Sequence, residues 1–345
     1  MAKTKKIKIV ETDAEPKSRI EDILQQYDKL TKKEGNIIIL GANENIVDID
    51  VIPSGILSLD RILGIGGLPH GRIIEVFGEF SGGKTTLTLQ AIAEAQRQGG
   101  IAAFIDVEHS ISPSYAAKLG VDFEKVLFSQ PSNAEEALGI AVKLSGLLSG
   151  GDIIVLDSVA ALAPKVELDG EMTDQQMGLT ARLMGKALRK ITASASRSGV
   201  TVILINQIRQ LIGVTFGPTS DTPGGRSLKF SASIRLDIRK IGMLKKDGCE
   251  PYGAKTRIKV VKNKLSIPFR EVEVELIFGQ GIPKHNDLFL SALNEGFIEH
   301  LGGGRYCIDG EAFAHGKDAA MEKFRNDSEL MNNIEQRLRK LYFNK

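Results

Sequence analysis

Cysteine is scarce in this chain of 345 residues: there are two, Cys249 and Cys307, far apart and without a CxxC or CxxH neighbour. That argues against a disulfide scaffold and a cysteine-based zinc site, and it fits a reducing, cytoplasmic setting. Long apolar runs are missing too. None approaches the ~18 residues a membrane helix needs, so no membrane partner is expected. The opening MAKTKKIKIV carries lysines but not the apolar stretch of a secretory leader. Charge of one sign is not in excess: 45 Lys and Arg face 43 Asp and Glu, a formal net charge of +2. Nucleic-acid binding therefore has to be argued from local features. There is no internal repeat and no low-complexity segment. What remains is a globular composition, 42% apolar and 26% charged, long enough to bury a core in two or three domains.

The chain reads as four stretches. Residues 1–15 are mixed and polar, as in a flexible arm. Ser18 and Glu21 then form a capping-box pattern, and Ile20, Ile23, Leu24, Tyr27 and Leu30 recur at helical spacing, with Gly35 as a stop. A short apolar run at 37–40 reads as a strand. A lone helix and strand cannot bury both faces, so they pack either on their own domain or on a neighbouring subunit. From about 51 to 206, apolar strands at 73–77, 101–105, 126–128, 153–156 and 200–205 alternate with helices, which implies a parallel sheet covered on both faces. From 228 to 279 the period changes to two. The alternating runs 227–239 and 270–278 predict antiparallel strands finishing the same sheet. Pro283 opens a last stretch with its own helices and Gly-rich turns, expected to be a small separate domain.

The sharpest chemical signal is GEFSGGKT, starting at Gly78. It fits G-x-x-x-x-G-K-[ST], with a strand before it and a helix after it. Gly78, Gly82 and Gly83 let successive N–H groups turn inward onto phosphate oxygens, and Glu79, Phe80 and Ser81 complete the loop. Lys84 is placed to neutralise the β- and γ-phosphates of ATP, and the Thr85 hydroxyl to hold Mg²⁺. Thr86 either packs or lies on the α-phosphate side. Asp157 closes the apolar run 153–156 at the C-terminal end of its strand, where parallel sheets bind ligands. It is a candidate for the Mg²⁺ site; the plainer alternative is a cap on the next helix. Glu108 follows the strand at 101–105 and suits a residue that orients or deprotonates the attacking water. Asp106 is its rival, nearer the strand interior.

Two long segments leave the same edge of the sheet as the phosphate loop. These are 164–176 and 207–226, and uninterrupted loops of that length are commonly functional. Gln207 stands at the hinge between the last parallel strand and the second loop. There it is placed to report the γ-phosphate to the loop. The helix after the first loop carries Arg182, Lys186 and Arg189 on one face, either a solvated stripe or a DNA-phosphate track.

With these residues in view, the chain resembles the bacterial RecA recombinases over nearly its whole length. The resemblance rests on SGILSLD from Ser54, GLPHGR from Gly67, FIDVEH from Phe104, LDSVAAL from Leu156, INQIR from Ile205, SASIRLDIR from Ser231 and KVVKNK from Lys259. It implies an α/β fold: a RecA-like P-loop ATPase core with a largely parallel central sheet, an N-terminal helix-strand polymerisation element and a small C-terminal α/β domain. The implied division is 1–50, 51–282 and 283–345. It also implies a DNA-dependent ATPase that uses ATP and Mg²⁺. Such a protein forms a helical filament on single-stranded DNA, pairs it with duplex DNA, exchanges strands in repair, and in the SOS response presents repressor-type proteins for cleavage. By this resemblance Glu108 orients the water, and Gln207 senses the γ-phosphate. Tyr115 stacks on adenine near Ser112, and Lys262 and Lys264 reach the ATP of an adjacent subunit. Met177, Arg182 and Arg189 lie around the first DNA loop, and Arg209, Gly224, Gly225 and Arg226 around the second. Lys229 and Phe230 sit in the subunit interface, and the N-terminal helix and strand dock on the next protomer.

Some positions depart from the family's pattern. Ser112 stands where an adenine-contacting aspartate is usual, Phe278 replaces a common tyrosine, and Glu79-Phe80 is unusual inside the phosphate loop. The chain ends LYFNK after Arg337, Arg339 and Lys340 rather than in an acidic tail, so weaker restraint of DNA binding is expected. Two other readings use the same core. One is a ring helicase or circadian-type ATPase, against which the KNK and NQIR segments speak. The other is a DNA-binding protein without turnover, against which Lys84, Thr85, Glu108 and Asp157 speak.

Overall fold

The computed structural model describes residues 16–31, 49–171, 178–210, 220–246 and 248–343. The chain divides into two units, Met1–Ile49 and Asp50–Lys345. In the first, helix α1 spans Pro16–Thr31. It opens on proline, which suits a first-turn position because its missing N–H would have no partner there. The helix thus starts ahead of the expected cap, and Ser18 lies inside it. Ile20 and Ile23 are exposed. Gly35 and the expected strand at 37–40 lie outside the described residues.

The second unit opens with a small ribbon, β1 (Val51–Ile52) antiparallel to β2 (Leu68–Pro69), around helix α2 (Leu57–Leu63). Alternation of strand and helix follows: β3 (Ile73–Gly78), α3 (Lys84–Arg97), β4 (Ala102–Asp106), α4 (Pro113–Lys118), β5 (Val126–Ser129), α5 (Ala134–Leu147), β6 (Ile153–Asp157), α6 (Lys165–Asp169), α7 (Leu179–Ser198) and β7 (Thr201–Gln207). Next come β8 (Arg209–Gln210), β9 (Ser220–Asp221), α8 (Gly225–Ser231), β10 (Ile234–Leu244), β11 (Gly253–Asn263) and β12 (Glu271–Ile277). The C-terminal stretch holds α9 (Lys284–Asn294), β13 (Ile298–His300), β14 (Arg305–Ile308), β15 (Glu311–His315), α10 (Lys317–Asn326) and α11 (Ser328–Phe343).

Eight strands form the central sheet in the order β12-β11-β10-β3-β7-β6-β4-β5. The six from β10 to β5 run parallel, and β11 and β12 are antiparallel additions. The inner strands are apolar throughout because both faces are covered. One core lies under α2 and α3, around Ile74, Val76, Leu89, Phe104 and Val155. The other lies under α5 and α7, around Leu138, Ile154, Leu188, Ile191 and Leu204. The open edge at β12 carries charge. Lys255, Arg257 and Lys259 stand directly across from Glu275, Glu273 and Glu271, a pattern that pins register and discourages further strand addition.

Two expectations from the period change are corrected. Residues 227–231 belong to α8, and the strand begins at Ile234. That strand also pairs parallel with β3, as well as antiparallel with β11. Leu228 and Ala232 are both buried, and a spacing of four serves one helical turn as well as it serves alternation. Nor are the two long loops uninterrupted. Residues 165–169 form α6, and β8 pairs antiparallel with β9 across the second loop.

The C-terminal stretch has its own core around Leu288, Phe289, Ile298, Phe324, Ile334 and Leu338, which also takes in Leu57 of α2. Helix α2 lacks a cap from its own N-cap residue. Asp287 supplies one from 229 positions away: one oxygen accepts from the Ser58 N–H at 3.1 Å and the other from the Ser58 hydroxyl. Among the described residues no helix is long and apolar enough to cross a membrane.

Candidate nucleotide site and nucleic-acid loops

The phosphate loop joins β3 to α3 at the C-terminal edge of the sheet. Gly78 passes so close to β10 that a Cβ there would stand 2.0 Å from the Ile238 carbonyl oxygen. Gly83 has φ +100° and is the N-cap of α3, with no side-chain cap. The first-turn N–H groups are therefore offered to an anion, together with the positive end of the helix. Lys84 folds back across the loop, donating to the carbonyls of Gly78 at 3.2 Å and Glu79 at 2.8 Å. Burial lowers its pKa, against the pull of Asp157 and Glu108. Ser81 is left-handed, at φ 55°, and Phe80 is 74% exposed beside it.

Thr85 donates its hydroxyl to Oδ2 of Asp157 at 3.0 Å. Burial pushes the Asp157 carboxyl up to about 6, with Glu108 and Asp106 adding to the rise and Thr85 and Lys84 opposing it. Among the described residues no group of three or more His, Cys, Asp or Glu side chains could hold a metal. A hydroxyl and a carboxylate in contact at the loop's mouth nevertheless fit Mg²⁺, which binds through one or two protein groups and substrate phosphates.

Glu108 is brought to the same place by the backbone of Asp157, whose carbonyl accepts from the N–H groups of Val107 and Glu108 at 2.6 and 3.2 Å. Its Oε1 accepts from the Ser158 hydroxyl and from Nε2 of Gln207. The rival Asp106 is fully buried and occupied elsewhere, accepting from the Ser110 and Ile111 N–H groups and from Gln130. Tyr115 of α4 shares a hydrogen bond with Thr86 at 2.8 Å, and burial raises its pKa. Ser112 is the N-cap residue of α4, exposed, its hydroxyl 3.2 Å from that of Ser114. Lys84, Thr85, Asp157, Glu108 and Gln207 thus meet at the ends of β3, β6, β4 and β7. Ser158 joins them through Glu108, Asn206 accepts from the Gln207 N–H, and Gln130 donates to Asp106. Ser158 and Asn206 stand in the LDSVAAL and INQIR segments, but those segments do not assign them partners, and Gln130 stands in none; the strand register brings them together.

The loops attach directly to this cluster. Gln207 ends β7, and Arg209 follows, its guanidinium donating to the Ala160 carbonyl at 3.2 Å. The returning end of the second loop is held by Asn206, which donates to the Pro223 carbonyl at 2.9 Å. Gly224 and Gly225 are left-handed, with φ of 91° and 73°, and lean on Val159 and Ala181. Arg226 is exposed, as are Arg182 and Arg189 on α7, opposite its buried Met184, Leu188 and Ile191. Met177 lies outside the described residues.

The profile of the RecA N-terminal domain matches residues 18–283. The chain belongs to the RecA family. It is 50% identical over 330 residues to a protein named RecA from Syntrophus aciditrophicus, covering 95% of this chain and 94% of that one. To that from Kineococcus radiotolerans it is 51% identical over 308 residues, 89% of this chain and 87% of the other. To that from Agrobacterium fabrum it is 48% identical over 335 residues, 96% and 91%. The resemblance read from the motifs holds, and with it the fold class and a role in DNA recombination and repair.

In this RecA-family chain the remaining expected positions gather around α8 and the end of β11. Lys262 donates to the carbonyls of Lys229 at 2.6 Å and Phe230 at 3.1 Å, and Lys264 to that of Phe230 at 3.1 Å. Lys229 pairs with Asp221, and Phe230 is 72% exposed. Burial lowers the Lys262 pKa, and the nearby charges of Lys264 and Arg235 lower it further.

Proposed function

We propose that the chain is a DNA-dependent ATPase that assembles through ATP into a helical filament on single-stranded DNA, then pairs and exchanges that strand with homologous duplex. The observation that carries the reading is the Gln207–Glu108 hydrogen bond. The residue suited to orient water touches the residue that opens the second loop, so phosphate chemistry and loop position share one contact.

In this reading Lys84, Gly82, Gly83 and the first turn of α3 bind the phosphates, and Thr85 and Asp157 hold Mg²⁺. The bound Mg²⁺ would neutralise charge on the β- and γ-phosphates. Glu108 accepts the proton of the attacking water, with Gln207 leaving it for the γ-phosphate. Tyr115 and Ser112 flank the base, and Phe278 lies near it. Arg182, Arg189, Arg209 and Arg226, with the backbone at Gly224 and Gly225, grip DNA phosphates, so any sequence is accepted and homology is read by base pairing.

A neighbouring subunit supplies the rest. Arg235 lies across from Lys262 on one side and from Glu75 on the other. Lys262 is therefore about 10 Å back along the strands from Gly78, and about 10 Å sideways, at ~3.3 Å per residue and ~4.8 Å per strand. The lysine amines are bound to α8 carbonyls and not to their own phosphate loop, while their crowded positive charge favours an anion. ATP of the next protomer suits them, with Lys229 and Phe230 in that interface. Functionally, residues 1–50 dock on a neighbour, 51–282 form the ATPase core and 283–345 a small appended domain. A cytoplasmic location and repressor-type partners in the SOS response come with this reading. The test is strand exchange between circular single-stranded and linear duplex DNA. Joint molecules should form with ATP and not in Lys84→Ala; none with the unaltered chain contradicts the proposal.

A further inference from the structure

Beneath the second loop lies a buried polar chain that the nucleotide site does not use. Glu75 of β3 and Asn206 of β7 are both wholly enclosed. The two oxygens of Glu75 are divided between partners. Oε1 accepts from Nδ2 of Asn206 at 3.0 Å, and Oε2 from Nε of Arg235 at 2.5 Å. Arg235 is fixed in turn by the Phe77 ring, 4.6 Å from its guanidinium carbon. Asn206 has three contacts: its amide group donates to Glu75 and to the Pro223 carbonyl, and its Oδ1 accepts from the Gln207 N–H at 3.0 Å.

We infer that Glu75 and Asn206 are positioning residues that couple the DNA loop to Gln207. This rests on the proposed function above and deepens it. The logic is one of donors and acceptors. A carboxylate only accepts, so Glu75 fixes which way the Asn206 amide faces: its NH₂ toward Glu75 and Pro223, its oxygen toward Gln207. Pro223 is where the second loop returns to the core. A shift of that loop moves the Pro223 carbonyl, turns the Asn206 amide and changes what the Gln207 N–H meets. Gln207 in turn carries the side chain that rests on Glu108. The path from loop to site is therefore one buried side chain long, and Glu75 sets its polarity. Coupling of this kind shows in the response to DNA and not in proximity alone.

The experiment compares hydrolysis with and without homopolymeric single-stranded DNA, nucleotide affinity and thermal midpoint in three variants. In Glu75→Gln the Asn206 amide can turn over; stimulation by DNA should fall severalfold while ATP affinity stays within about twofold. Asn206→Asp sets two carboxylates face to face and has no donor for Pro223. It should lose thermal midpoint and at least tenfold in stimulation. In the double variant Glu75→Gln/Asn206→Asp the introduced glutamine can donate to the introduced aspartate. That restores the buried bond with reversed polarity but not the bond to Pro223. The double variant should recover midpoint and remain unstimulated. Recovery of stimulation along with midpoint, or full stimulation in Glu75→Gln, overturns the inference and leaves a structural role. Absence of stimulation in the unaltered chain overturns the functional reading itself, and this inference with it.

Discussion

The side-chain amide of Gln207 donates to Oε1 of Glu108, joining residues 99 positions apart at the mouth of the phosphate loop. The same oxygen accepts from the Ser158 hydroxyl. Glu108 is thus held in place by two donors to one oxygen. The Glu108→Gln variant keeps the shape and removes the carboxylate that the proposed function makes the base. Its turnover should fall by about 10²–10⁴, with ATP affinity unchanged. Single-turnover hydrolysis beside equilibrium binding separates the two; a loss of affinity with turnover intact contradicts the role.

The close approach at Gly78 makes a stability prediction independent of chemistry. A methyl group there meets the Ile238 carbonyl at 2.0 Å, and both strands are central to the sheet. Gly78→Ala should cost about 3 kcal/mol or more, beyond ordinary overpacking, because backbone and not side chain must move. Denaturant unfolding measures it; a change under about 1 kcal/mol, the low end of overpacking costs, contradicts the packing described.

How far the sequence reached depends on the range of the signal. The phosphate loop, Asp157 and the parallel strands were legible because each is local: a glycine pattern between a strand and a helix, or an apolar run ending in a carboxylate. Helix α8 is hidden in the sequence, since Leu228 and Ala232 satisfy both periods. The partners of Ser158, Asn206 and Glu75 were not legible, although the first two lie in segments that carry the resemblance, because those partners are set by cross-strand register. The Asp287–Ser58 cap was equally hidden, its partners 229 positions apart.

Asp60 gives the pH prediction. It is wholly enclosed, with one oxygen accepting from the Ser54 N–H at 3.0 Å and the other without a hydrogen-bond partner. Burial pushes its pKa up to about 8, with the Ser54 bonds opposing. A raised carboxyl pKa means that the proton favours the fold. That contribution is complete below about pH 4, the ordinary carboxyl value, and is lost as pH rises through about 8. In between, the unaltered chain should lose up to about 1.4 kcal/mol per pH unit relative to Asp60→Asn. Denaturant unfolding at about pH 5, 6.5 and 8, which spans that window, checks the difference; parallel curves contradict it.

The placement of Lys262 and Lys264 away from their own phosphate loop predicts complementation between subunits. Lys84→Ala and the double variant Lys262→Ala/Lys264→Ala should each be inactive alone. Mixed, some interfaces pair an intact phosphate loop with intact lysines, and part of the hydrolysis should return. A mixture as inactive as its components contradicts a site shared between protomers.

The most direct measurement is steady-state ATP hydrolysis by the unaltered chain, with and without homopolymeric single-stranded DNA, beside Lys84→Ala. The account predicts strong stimulation by DNA, abolished in the variant. Hydrolysis indifferent to DNA, or DNA binding without hydrolysis, contradicts it.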